Sequence, residues 1–349
     1  MPGFAIVGAG MIAGFHLKAL SEIPGAHVVA VVDSVPVALD RFKEKNKIQV
    51  DTYTSLEPAL ARKDVDIVIV STPSGAHMES AVAAAEAGKH VVVEKPLEVT
   101  LDRCDRIINA CAKNKVKLCT IFPSRFAESN RTLKAAVDAG RFGLLTLGET
   151  TCKWWRTQAY YDQGGWRGTK KLDGGGALMN QAIHNVDLLL WMMGQVKQVT
   201  GFIDLLAHER IEVEDTAVAC LRFASGALGV IQATTSIYPG YPKTIAIHGD
   251  KGSALIEQED VLRWEFTPET PEDQKVKARF AQKVGASGGS SDPSAISHVG
   301  HTKQLTDFVE SIRTGRPPLV DGREGRRAVE AILAVYESAA TGKVVTLGS

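Results

Sequence analysis

Phe4-Ala5-Ile6-Val7-Gly8-Ala9-Gly10-Met11-Ile12-Ala13-Gly14 is the stretch whose reading decides the fold. A short apolar run ends in G-x-G-x-x-A and passes directly into a segment where Ile12, Phe15, His16, Ala19, Leu20 and Ile23 recur at helical spacing. Glycine clusters also make ordinary turns, and that is the alternative here. The strand before and the amphipathic helix after supply the context in which the motif binds a dinucleotide. Gly8 permits the tight turn, Gly10 lets the backbone approach a pyrophosphate, and Ala13 is small enough for close helix–strand packing. The first helical turn, with Met11 and Ile12, offers N–H groups and a positive dipole end to the anion. Asp33 ends the next apolar run. A carboxylate there accepts hydrogen bonds from ribose hydroxyls and repels a 2′-phosphate, so NAD is expected over NADP. A plain turn cap at Asp33, with Arg41 not far downstream, is the other reading.

Outward from this loop, short β-branched runs alternate with helical patterns over residues 1–122. Phe4–Val7, Val28–Val32, Ile67–Ser71, Val91–Val93 and Lys117–Phe122 read as buried strands. Helices are predicted at Val37–Lys45 after Pro36, at Ala76–Ala87 before Gly88, and at Asp102–Lys113 with Thr100 as cap. Alternating strands and helices predict an α/β domain: a doubly wound parallel sheet of the Rossmann type. From 123 to 349 the grammar changes. A helix at Ser129–Ala139, a strand over Leu144–Trp154, an irregular aromatic stretch and a helix at Leu178–Met193 precede at least five strand-like runs between Val196 and Phe266. Ser225–Gly226 and Gly249–Gly252 are expected hairpin connections. Two helices, His301–Arg313 and Arg323–Ala340, close the chain. The second domain is therefore expected to be α+β, with a large, mostly antiparallel sheet. The run Gly285–Pro293 reads as a mobile loop rather than a lid.

Composition narrows the function classes. The 349 residues carry 40 Lys plus Arg against 40 Asp plus Glu, a net charge of zero, which excludes the bulk electrostatics of a nonspecific nucleic-acid binder. No apolar run reaches the ~20 residues that span a bilayer, so no membrane partner is expected. No signal peptide is evident at the N-terminus. Five cysteines without a CxxC pattern fit reduced thiols in a cytoplasm better than disulfides. His298 and His301 have no cysteine or carboxylate at ligand spacing, so no metal site is expected, although one of them is a possible substrate contact.

Two further segments carry chemistry. Val93-Glu94-Lys95-Pro96 places a lysine just past the carboxyl end of a parallel strand, the edge where ligands gather in open α/β sheets. An ammonium there can stabilise the charge on an oxygen losing its proton. A solvated lysine before a proline turn is the alternative. In Gly174-Gly175-Gly176-Ala177-Leu178-Met179-Asn180-Gln181-Ala182-Ile183-His184-Asn185-Val186-Asp187, helical spacing puts Asn180, His184 and Asp187 on one face. His184 can accept a proton from an alcohol, or it can simply anchor the helix in the core. Asp187 reads as structural. Upstream, Trp155, Tyr160, Tyr161 and Trp166 lie beside Arg156 and Arg167. Aromatic faces stack on sugars and arginine forks grip carboxylates or phosphates, unless these side chains fill core gaps and make surface ion pairs. Arg125 is counted with this substrate-facing set.

The glycine loop, Ser71-Thr72-Pro73-Ser74-Gly75-Ala76-His77, Glu94-Lys95-Pro96, the Gly174–Asp187 segment and the ending Tyr336–Lys343 fall in the order of the Gfo/Idh/MocA oxidoreductases, which the sequence resembles throughout. The resemblance implies NAD in an N-terminal Rossmann domain, and a C-terminal domain that binds substrate and forms a homodimer or homotetramer. It implies Lys95 and His184 as the catalytic pair. Ser71, Thr72, Pro73 and His77 would lie along the nicotinamide and Glu94 near its ribose, with a bond before Pro96 that is often cis. Many relatives carry aspartate where this chain has Asn180, which cannot act as a base, so Asn180 is expected to orient substrate. The NQ-x-I-H form and the Trp155–Gly168 stretch resemble the nucleotide-sugar 3-dehydrogenase branch, acting on a UDP-linked N-acetylglucosaminuronate. The leading expectation is an NAD(H)-dependent dehydrogenase of a secondary hydroxyl on a sugar or sugar derivative. The alternatives are a net non-redox sugar enzyme, of glycosidase or epimerase type, with tightly held NAD, and a non-catalytic NAD-binding sensor.

Overall fold

The structure, a computed structural model, describes residues 2–163, 165–281, 289–290 and 297–348. Of the run 285–293, only Gly289 and Ser290 lie among them. The chain forms two units. The first takes in Met1–Pro123, Lys171–Gly174 and His298–Val329. Its six strands are β1 (Gly3–Val7), β2 (His27–Val32), β3 (Asp51–Tyr53), β4 (Ile67–Val70), β5 (His90–Val93) and β6 (Leu118–Thr120). Every pairing is parallel, in the order β3-β2-β1-β4-β5-β6. This is the doubly wound sheet expected from the sequence. The order reverses between β1 and β4, the topological switch point at whose carboxyl edge such sheets bind ligands.

The central strands are buried on both faces, which is why they read as unbroken apolar runs rather than alternating ones. Phe4, Ile6, Val31, Ile67, Ile69 and Val92 pack with Leu20 from the helix Met11–Ser21. Leu305 and Phe308 of the helix Val299–Thr314 fill the same core. That helix falls within the sequence range 123–349 assigned above to the second domain. Its apolar stripe is the same whichever core it enters, so chain order alone could not assign it.

The second unit takes in Ser124–Lys170, Gly175–Ser297 and Glu330–Ser349. It carries β7 (Leu145–Lys153), β8 (Val196–Asp204), β9 (Thr216–Phe223), β10 (Leu228–Thr234), β11 (Thr244–Gly249), β12 (Gly252–Glu257), β13 (Asp260–Phe266) and β14 (Val345–Thr346). Their order is β13-β12-β11-β7-β10-β9-β8-β14, antiparallel except for the β7–β10 pair. The predicted mostly antiparallel sheet is present, with six strands between Val196 and Phe266. Ser225–Gly226 turns β9 into β10, and Gly226, at φ +91°, supplies the left-handed residue that turn needs. One sheet face is covered by the helix Ile183–Met193. A side chain at Gly148 would strike Met193 and Leu189, so the glycine is what lets that helix lie on β7. The other face shows the alternation of a one-sided sheet, leaving Phe202 83% and Val218 47% exposed.

Among the described residues, no helix is long and apolar enough to cross a membrane.

Candidate active site

In the first unit the glycine loop follows β1 directly. Gly8 sits at φ +96°, and a Cβ there would come within 2.7 Å of the Ser71 carbonyl oxygen. Only glycine satisfies both constraints. Gly10 is the N-cap of the helix Met11–Ser21, with no side-chain capping bond, and a Cβ built on it meets nothing within 4 Å. An open space before uncapped helical N–H groups suits a phosphate. Ser71 closes the back of the loop, donating its hydroxyl to the carbonyls of Val7 (2.9 Å) and Gly8 (3.0 Å). Asp33 accepts from the Ala9 N–H (2.8 Å) through one oxygen and from the Val35 N–H (2.9 Å) through the other. It therefore caps a turn and holds the loop, and each oxygen keeps a lone pair for a ribose hydroxyl. These residues fit an NAD adenosine and pyrophosphate.

His77 is buried, with Nδ1 2.9 Å from the Pro96 carbonyl and Nε2 3.0 Å from the Thr72 carbonyl. Burial pulls its pKa down, against the opposing charge of Glu98 and the two carbonyls. It thus braces the Thr72–Pro73 turn against the loop after β5. Thr72 donates to the Ala76 carbonyl (3.0 Å), closing that turn.

Lys95 follows β5, and the bond to Pro96 is cis. From Val91 to Val99 every residue is buried except Lys95, which is half-buried. Glu94, expected beside the nicotinamide ribose, is buried against the helix Met11–Ser21. One oxygen lies 2.7 Å from His16 Nε2, and the other accepts the Lys95 N–H at 3.1 Å. Burial raises its pKa, but the His16 hydrogen bond and charge, with His301 and Lys95 adding to them, outweigh this and hold it at about 2. His301, 3.8 Å from Glu94, is pulled down to about 4, chiefly by burial. Beyond Lys95, Glu98 receives the N–H groups of Met78 (3.2 Å) and Val99 (2.6 Å) and the Arg103 guanidinium (2.9 Å). The lysine backbone is therefore anchored on both sides.

In the second unit the three-glycine segment ends in a π-helical turn, Ala177–Gln181, before the helix Ile183–Met193. The sequence predicts one continuous helix here. The reason for the difference lies 38 residues along the chain. Glu214 accepts the N–H groups of Gly176 (2.8 Å) and Leu178 (2.9 Å), while its own carbonyl takes that of Ala177 (3.0 Å). Tyr336 donates its hydroxyl to the same carboxylate at 3.0 Å. Side chains at Gly175 or Gly176 would collide with Tyr336 and Glu214. Burial raises the Glu214 pKa against these donors. From 181 to 190 every residue is buried except His184, which is half-buried. Asp187 is buried and takes both Nε (2.8 Å) and Nη2 (2.6 Å) of Arg125. Arg125, expected among substrate contacts, is thus a buried partner of the helix that carries His184.

Tyr160 is half-buried, with the Arg156 guanidinium 5.5 Å from its ring centre and that of Arg167 at 5.0 Å. Arg167 also lies 4.7 Å from the ring centre of Trp166. Arg156 is buried and donates to the carbonyls of Trp155 (2.8 Å), Gly289 (2.9 Å) and Ser290 (3.1 Å). Tyr161 is buried, with its hydroxyl 2.8 Å from that of Thr235. The Gln181 amide reaches the Tyr160 hydroxyl at 3.4 Å, joining this aromatic cluster to the turn that carries the half-buried Asn180.

Residues 3–122 match the profile of an oxidoreductase family with an NAD-binding Rossmann fold, and residues 130–255 match the GFO/IDH/MocA C-terminal domain. The chain is 30% identical to the myo-inositol 2-dehydrogenase of Thermotoga maritima over 93% of its own length and 92% of the relative's. It belongs to the GFO/IDH/MocA oxidoreductase family. Among solved structures, this oxidoreductase is similar to the WlbA dehydrogenase of Bordetella pertussis in complex with NADH and UDP-GlcNAcA. The identity is 32% and the TM-score 0.88, over 99% of both chains. The WlbA dehydrogenase of Chromobacterium violaceum, also with NADH and UDP-GlcNAcA, gives 35% and 0.89 over 99% of this chain and 96% of that one. The oxidoreductase is an NAD-dependent dehydrogenase, and the loop from Gly8 to Ala13 lies in its NAD-binding domain. His16, Glu214 and Tyr336 were not singled out from sequence. His16 recurs with the apolar stripe of its helix, while Glu214 takes backbone N–H groups and Tyr336 donates to the Glu214 carboxylate, contacts that only the fold brings about.

Proposed function

We propose that this oxidoreductase oxidises a secondary hydroxyl of a sugar or sugar derivative, or reduces the matching ketone, and that a nucleotide-linked sugar acid is the class to test first. One observation carries the assignment of roles. Lys95 and His184 are each the single half-buried residue of an otherwise buried stretch. Each unit thus spends rigid, anchored backbone on exposing one proton-handling group. A sensor of NAD needs neither. The Lys95 ammonium donates to the substrate oxygen and stabilises the alkoxide that develops there. The His184 imidazole takes the hydroxyl proton. Bound NAD supplies the hydride acceptor. Asn180 orients the substrate by hydrogen bonding, and Tyr160 with Trp166 offers faces for a sugar ring. Likeness to the two WlbA dehydrogenases, whose structures contain UDP-GlcNAcA, favours a nucleotide sugar; the inositol dehydrogenase relative favours a free polyol.

The exposed Phe202, Val218 and Leu228 on three successive strands make the open sheet face the surface for a homodimer or homotetramer. Five free cysteines, four of them buried, accord with a cytoplasmic enzyme. The test is a panel of inositols, free sugars, sugar acids and UDP-sugars incubated with NAD and followed by NADH absorbance. Turnover of at least one of them is expected, and silence across the panel, in both directions, refutes the reading.

A further inference from the structure

Gln181 is the last residue of the π-turn Ala177–Gln181 and stands three residues before His184, a spacing at which helical side chains are neighbours. The Ala182 N–H closes the turn on the Ala177 carbonyl (2.9 Å), one residue wider than an α-turn, a form that recurs at functional sites. Glu214 holds its backbone from outside, through the N–H groups of Gly176 and Leu178. The main chain before Gln181 is thus fixed, and Gln181 itself is only 6% exposed.

One end of its amide is engaged. Nε2 donates to the Tyr160 hydroxyl at 3.4 Å, and the Tyr160 ring lies beside the guanidinium groups of Arg156 and Arg167. The other end is not. Oε1 is buried and, among the described residues, has no hydrogen-bond partner. The Tyr160 hydroxyl both gives and takes, so turning the amide over would exchange the two ends without pairing the second. A buried amide left half-paired costs stability that an apolar side chain of the same length would not. Gln181 therefore joins the aromatic residues proposed to face the sugar ring to the turn that carries Asn180 and His184, with one polar end unmatched. A hydroxyl, which can donate or accept, completes that end in either orientation.

We propose that Gln181 binds a second hydroxyl of the substrate, on the carbon next to the one oxidised, and so makes a vicinal diol the requirement of the site. This rests on the sugar-dehydrogenase reading and adds a specificity residue. Two measurements on wild type, Gln181→Met and Gln181→Leu test it. The first is the thermal midpoint of the sugar-free enzyme. An unmatched amide held ready for substrate predicts that Gln181→Met leaves the midpoint unchanged or raises it. A fall of about 2–4 °C or more would make Gln181 a structural brace and overturn the proposal, whatever the enzyme does with sugars. The second compares probes with and without the neighbouring hydroxyl: myo-inositol against its monodeoxy analogues, and UDP-N-acetylglucosaminuronate against its 4-deoxy analogue. Both kcat/KM with NAD and calorimetric binding to the NADH-loaded enzyme are read. Wild type is expected to favour the intact member of at least one pair by about 10- to 100-fold. Both variants should reduce that preference to less than about threefold, by losing the intact probe and sparing the deoxy one. Equal losses on both members, or a wild type that does not discriminate, would overturn the proposal. If intact probes bind without turnover, the dehydrogenase reading fails separately and the binding ratios still decide. If wild type binds neither intact probe, the role of Gln181 falls too.

Discussion

Lys95 and His184 owe their exposure to neighbours that do not share it. Glu94 turns inward to His16, and its other oxygen takes the Lys95 N–H, so the backbone of the lysine is fixed while its side chain is not buried. Replacing the ammonium without changing length tests its part alone. Lys95→Met is expected to lower kcat by about 100- to 1,000-fold, the scale for losing one preorganised donor to a developing oxyanion. NAD affinity, measured by fluorescence titration, should hardly move, because the proposed phosphate and ribose contacts are at Gly8–Ala13 and Asp33. Asp33→Ala is expected to act the other way, weakening NAD and narrowing its advantage over NADP as the carboxylate that repels a 2′-phosphate disappears. An unaltered cofactor ratio in that variant would reduce Asp33 to the turn cap it also is. Motif spacing made Gly8, Gly10, Asp33 and Lys95 legible, because each answers a local demand of a strand end or a tight turn. Arg125 is the opposite case. Its partner Asp187 lies 62 residues away, and an arginine bound for a buried carboxylate is spelled like one bound for a substrate.

The strands were legible for a physical reason at the scale of elements. Parallel strands buried on both faces read as solid apolar runs, and one-sided strands alternate, as β9 does. The short β3, half-exposed and three residues long, offers neither signal and went unread. The π-turn at Ala177–Gln181 was illegible as well. Apolar periodicity gives a helix there, while the deciding contacts come from Glu214 and Tyr336. Glu214→Ala should therefore leave two buried N–H groups without their acceptor and destabilise the protein by about 2–4 kcal/mol. It should also lower kcat more than it raises the KM for substrate, since the turn leads into His184. Tyr336→Phe removes one donor and should cost about 1 kcal/mol. Denaturant unfolding alongside steady-state kinetics checks both. Loss of stability with unchanged kcat in the surviving Glu214→Ala fraction would show the carboxylate to be a brace without bearing on catalysis.

For the whole molecule, the buried Glu94–His301 pair sets an acid limit on stability. His301 has its pKa depressed to about 4 in the folded protein, so the unfolded chain binds the extra proton first. Its contribution is complete above the unfolded value near 6.5 and is lost as pH falls from there towards 4. Glu94, depressed to about 2, adds a second loss below the unfolded value near 4.5. Thermal midpoints should fall from pH 7 to pH 4.5, and His301→Gln should flatten that slope. A slope unaffected by the substitution would place the sensitivity elsewhere. The central claim is the proposal that Lys95 and His184 both act in the oxidation of the substrate hydroxyl. The most direct test is a double-mutant cycle on the rate of NADH formation with the best sugar of the panel, using Lys95→Met, His184→Ala and the pair. Groups acting as a unit are strongly non-additive, so the double variant is expected to be about as slow as the slower single one. Losses that simply multiply, or a single variant that keeps near-normal turnover, would contradict the account.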